Sequence, residues 1–120
     1  MNIFIARNER VTGIDIDKLA AREPESDVAW FLMQTAAFGY FEKHSFESTR
    51  EARSLFIESY EAAAQKRLRV RRTALYMAMA FLKNLHFELV LLKTGRNEYA
   101  DPWLSGAAAA IVDVRLSLEP

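Results

Sequence analysis

Cysteine is absent from the 120 residues. That excludes a disulfide framework, thiolate zinc sites and thiol nucleophiles, and it points to a reducing, cytoplasmic compartment. Glycine (4) and proline (3) are scarce, which disfavours an all-β chain built on tight turns. Gly13, Gly39, Gly95 and Gly106 are too scattered for a phosphate loop or a dinucleotide fingerprint. No Gly-x-Ser-x-Gly elbow occurs, and no family motif is recognised.

Histidine appears twice. A carboxylate-bridged metal pair in a helical bundle needs Glu-x-x-His. Glu42-Lys43-His44 and His86-Phe87-Glu88 instead separate the groups by two residues, about 200° around a helix. No metal, cofactor or catalytic residue is assigned, and the chain is expected not to be an enzyme. His86, in an apolar stretch, reads as a core histidine.

No signal peptide is expected, because Met-Asn-Ile-Phe-Ile-Ala-Arg has no basic head and a short apolar run. The most apolar stretch, 74–92, is interrupted by Lys83, Asn84, His86 and Glu88. Each charge there would cost about 2.5–3.5 kcal/mol on insertion scales. It reads as the buried central helix of a soluble bundle, with no membrane partner.

What is present is ordinary globular material: 51% hydrophobic and 27% charged residues. The length favours one domain. The predicted fold is all-α: a compact bundle of four main helices over 25–120, the third one central, after an N-terminal extension over 1–24. In that extension Ile3 and Ile5, then Val11, Gly13, Ile14 and Ile16, flank polar Arg7–Arg10. This predicts a β-hairpin, which would have to pack on helices to be stable. A helical turn over 17–22 follows, then a short linker centred on Pro24.

The first helix is expected over 26–43, capped by Ser26 or Asp27. Gly39 inside it implies close packing or a bend. Ser48-Thr49-Arg50-Glu51 fits a capping box for the second helix. Ala52, Leu55, Phe56, Ser59, Ala62 and Ala63 then recur at helical spacing, the clearest amphipathic pattern in the chain. A break is expected near 66–69. The third helix spans about 70–93 with two apolar stripes: Leu75, Met79, Leu82, His86, Leu89; and Val70, Ala74, Met77, Phe81, Leu85, Leu92. It stops at Lys93-Thr94-Gly95. Asp101 as cap and Pro102 at the first position open the fourth helix.

Three surfaces carry the functional reading. Glu47, Glu51, Glu58 and Glu61 lie within roughly 40° of one line on a helix. This acidic face suits a basic protein partner; the plainer reading is a solvated glutamate face. The leading function is therefore a non-catalytic protein-binding module. Its most concrete form is an inhibitor or immunity-type protein neutralising a basic toxin or nuclease. The second surface is Arg67, Arg69, Arg71 and Arg72, which would serve a nucleic-acid-binding regulator. The plainer reading pairs these arginines with glutamates of the second helix or with Glu88. Charge asymmetry accompanies the two surfaces. Residues 1–61 carry 11 acids and 7 bases, and residues 62–120 carry 5 and 9. Third, Tyr40, Phe41 and Trp103 are candidate interface aromatics. A further alternative is a self-associating assembly subunit, using the small-residue face Gly106–Ala110.

Overall fold

The computed structural model describes residues 2–14, 22–93, 95 and 97–116. It is the expected all-α bundle with a hairpin in front. Strands β1 (Asn2–Ile5) and β2 (Val11–Ile14) pair antiparallel, Ile5 opposite Val11. The turn places Glu9 in the left-handed region. The hairpin does not bury itself as expected: residues 5–13 are all exposed. Ile16 and the helical turn proposed over 17–22 lie, Arg22 excepted, outside the described residues.

Helix α1 (Pro24–Lys43) starts earlier than the sequence suggested. Pro24 occupies the first turn, where its missing N–H costs nothing, so it opens the helix and is not a linker. Glu23 is the N-cap residue, and no side chain caps the end; neither Ser26 nor Asp27 plays that role. His44 ends α1 in a left-handed conformation, its N–H donating to the Tyr40 carbonyl. Gly39 reflects close packing: a Cβ there would lie 2.6 Å from Ser48 Oγ and 2.8 Å from Thr49 Cγ2.

The capping box does not form. Ser48 donates its hydroxyl to the Ser45 carbonyl (2.7 Å) and lies in a 3-10 turn, Phe46–Thr49. Helix α2 (Arg50–Ala64) begins after that turn. Its apolar side meets α1 through Phe31 and Phe56, whose rings stack at 4.1 Å. Yet no residue of α2 is buried. The most regular amphipathic pattern thus belongs to the least buried helix.

The break falls at 65–69. Gln65 takes a left-handed conformation, and the link is extended through Leu68, which is buried against Val28 and Leu32. Helix α3 (Val70–His86) follows, continued by a π-helical turn, Phe87–Leu91. The stop comes where Lys93 and Gly95 both have positive φ. Helix α4 (Ala100–Leu116) begins one residue before Asp101, after a 3-10 turn at Asn97–Tyr99.

Helix α3 is central, packing against both α1 and α4. Phe81 and Trp103 are the largest side chains of the main core, which also takes in Met33, Ala36, Ala37 and Ala78. Gly106 lets α4 approach: a Cβ there would meet the Phe81 ring at 2.8 Å. Only one of the two apolar stripes of α3 faces this core. Leu75, Met79 and Leu82 are 56%, 54% and 47% exposed. His86 is exposed too, so it is not a core histidine. By length and composition alone, the helix Val70–Leu91 could cross a membrane, and only 17% of its apolar window is buried. The helix is central, as expected, but the expectation that it is buried is corrected: one of its two apolar stripes is open.

Candidate partner-binding surfaces

The polar centre of the molecule lies where the N-termini of α1 and α3 meet. Glu25, in the first turn of α1, is 1% exposed. Its Oε1 accepts from the Arg69 backbone N–H (3.1 Å) and from Arg69 Nε (2.8 Å), while Oε2 accepts from Arg69 Nη2 (3.1 Å). The guanidinium holds the Glu25 carboxyl down to about 2 from its ordinary 4.5, outweighing the opposing effect of burial. Bonding to Glu25 raises the pKa of Arg69. Beside this pair, Glu23 binds Arg72, lies 3.4 Å from Arg69 Nη2 and accepts the Tyr76 hydroxyl at 3.0 Å.

This network changes the reading of the basic cluster. Arg69 and Arg72 neutralise Glu23 and Glu25 rather than glutamates of α2 or Glu88. Arg67, 93% exposed at its side chain, pairs loosely with Glu61 at 3.7 Å. Arg71 is exposed. The four arginines therefore do not form one basic face. Glu23 and Glu25 were not picked out from the sequence. A signal for their placement existed, since proline flanked by acids marks a helix start. The contact with residue 69 has no local signature.

The acidic stripe is also divided. Glu61 is turned inward: its Oε1 accepts the Leu68 N–H at 2.9 Å and so fixes the link to α3. Glu47 lies in the 3-10 turn and pairs with Arg50 at 3.2 Å. Glu51 and Glu58 are exposed. Between them, a helical turn from each, stands Leu55, 62% exposed. An open hollow of about 420 Å³ adjoins this face, lined by Glu58, Glu61, Ala62, Gln65, Lys66 and Arg67. A second, of about 370 Å³, is lined by Glu23, Arg72, Leu75, Tyr76 and Met79.

Of the three aromatic candidates, one is core. Trp103 is fully buried, in ring contact with Tyr40, Phe41, Phe46 and Tyr99 at 5.5–5.9 Å between centroids. Its indole N–H has no acceptor among the described residues. Tyr40 is half-buried and Phe41 is exposed. Trp103 is therefore unable to anchor an interface. The small-residue face is likewise internal: Gly106, Ala107 and Ala110 are buried in the α3–α4 contact, leaving Ala108 and Ala109 outside. Among the described residues no group of three or more His, Asp or Glu is placed to hold a metal.

No family model, no curated protein and no solved structure matches the chain.

Proposed function

We propose that the chain is a non-catalytic protein-binding module that captures a basic protein on the outward face of α2. One observation carries this reading. Glu51 and Glu58 are exposed and have no ion-pair partner among the described residues, and they flank the exposed Leu55. An apolar centre bordered by charge is the usual anatomy of a docking patch. Unneutralised carboxylates steer a basic partner and select against acidic ones. The concrete form is an inhibitor or immunity-type protein that masks a toxin or nuclease, acting in the cytoplasm, where a cysteine-free chain is at no disadvantage.

The nucleic-acid alternative is weakened, because Arg69 and Arg72 are already neutralised by Glu23 and Glu25. Affinity capture from the native host, with and without nuclease, separates the two. The proposal expects one near-stoichiometric protein that survives nuclease, elutes with salt and is lost from the double variant Glu51→Lys/Glu58→Lys. Capture that collapses with nuclease returns the function to Arg67 and Arg71. A partner held equally well by the double variant removes the acidic face from the binding site.

A further inference from the structure

Helix α2 differs from the other helices in how it is held. None of its 15 residues is buried. Arg53, Phe56, Ile57, Tyr60 and Glu61 are half-covered, and the rest are exposed. Phe56, Ile57 and Tyr60 lie over a small second core of Val28, Leu32 and Leu68. The main core instead closes Met33, Phe81 and Trp103 off from solvent between α1, α3 and α4. Two polar bonds of α2 reach only its own flanks. Arg53 Nη2 donates to the Phe46 carbonyl and Glu61 Oε1 accepts the Leu68 N–H, both at 2.9 Å and each across seven residues.

Those flanks are anchored where α2 is not. Before the helix, the Phe46 ring meets Phe81 and Trp103 at 5.6 and 5.9 Å between centroids. After it, Arg69 is bound to Glu25 by three hydrogen bonds. Neither anchor involves a residue of α2, so both persist without it. The helix itself depends on docking. A segment of 15 residues is a marginal helix in water by itself, so leaving the bundle and losing helical structure are one event.

We infer that α2 is a lid that opens and unfolds as a unit of its own between the anchors Phe46 and Arg69, while α1, α3 and α4 stay folded. Its closure rests on Phe56 stacked against Phe31 and on half-covered Ile57 and Tyr60. Hydrophobic stabilisation grows with the apolar area removed from water, so a helix without one buried residue is held more weakly than its neighbours. Segments with little buried apolar contact are those that open locally. Opening uncovers Val28, Leu32 and Leu68, which are otherwise shielded. The chain thus has a closed state and an open state that differ in apolar surface over one patch. A ligand that grips the outer face of closed α2 shifts the population toward closure. The lid needs no such ligand, so its failure leaves the role of Glu51 and Glu58 untouched.

The experiment is hydrogen exchange of the intact wild-type protein, read by mass spectrometry at urea concentrations below the unfolding transition. Amides of 50–64 are expected to exchange at least about a hundredfold faster than those of 28–37 and 74–82. Their rates should also rise less steeply with urea, because opening one helix exposes less surface than unfolding the chain. Equal rates and equal urea slopes in the three segments overturn the inference, since α2 would then leave only with the whole fold. The variant Phe56→Asp/Tyr60→Asp charges the inner face of the lid and should hold it open. Residues 50–64 then lose protection while 74–82 keep theirs. Loss of protection in all three segments of that variant also overturns the inference, because it makes α2 part of one cooperative unit.

Discussion

Glu25 and Arg69, 44 residues apart, are joined by three hydrogen bonds, one of them from the Arg69 backbone. The contact ties the first turn of α1 to the N-cap residue of α3. It holds the two core helices at one end, while Phe81 and Trp103 fill the space between helices elsewhere.

Removing Arg69 leaves a carboxylate with almost no access to water and no cation. Arg69→Ala is expected to cost about 2–4 kcal/mol in urea unfolding. Arg69→Lys recovers part of this, because an ammonium cannot reproduce the forked geometry. Arg71→Ala, exposed and without an ion-pair partner among the described residues, should stay within about 0.5 kcal/mol of wild type. Equal losses for Arg69 and Arg71 would refute this account of the cluster.

The same pair fixes an acid dependence. The Glu25 pKa is about 2 in the folded chain, below its ordinary 4.5. A depressed carboxyl contributes its stability fully above 4.5 and loses it as pH falls toward about 2. The stability difference between wild type and Glu25→Gln should therefore be constant at neutral pH and shrink across that acid window. A difference that instead changes between pH values well above 4.5 is incompatible with this origin.

Two glycines are positions of contact. Gly39→Ala would press a methyl on Ser48 and Thr49, and Gly106→Ala would press one on the Phe81 ring. Each is expected to cost about 1–3 kcal/mol by overpacking, despite the better helix propensity of alanine. Thermal unfolding checks both. Stabilisation by either change would mean that the helices are further apart than described.

The two tryptophans report different environments. Trp103 is buried among aromatic rings, and Trp30 is 42% exposed. Trp30→Phe should leave blue-shifted emission that acrylamide quenches poorly. Trp103→Phe should leave emission that is readily quenched. The reverse assignment would place Trp103 at the surface.

The local elements were largely legible in the sequence. Ile3, Ile5 and Val11 alternate as a strand does, and apolar residues from Ala52 to Ala63 recur as a helix does. Basic Lys93 before Gly95 stops α3. These signals are local: they depend on backbone preference and on side-chain periods of two or 3.6 residues. Helix starts were less legible, because several side chains can cap. Ser48 turned back to the Ser45 carbonyl, and Pro24 began α1 without a side-chain cap.

Periodicity determined which residues of α3 and α2 could face a neighbour, but not whether a neighbour is there. Both stripes of α3 are apolar in sequence. One meets Phe46 and Trp103 through Phe81, and the other stays open because α1 and α4 occupy the same side. Likewise the sequence supplied Arg67, Arg69, Arg71 and Arg72 as one run and Glu47 to Glu61 as one line. Tertiary structure alone decided that Arg69 goes to Glu25, Arg72 to Glu23 and Glu61 to the Leu68 N–H. The sequence thus determined the helices and their apolar faces, since these follow from neighbours a turn away. The pairing of charges depended on which helix ends meet, and that is set by packing across the whole chain.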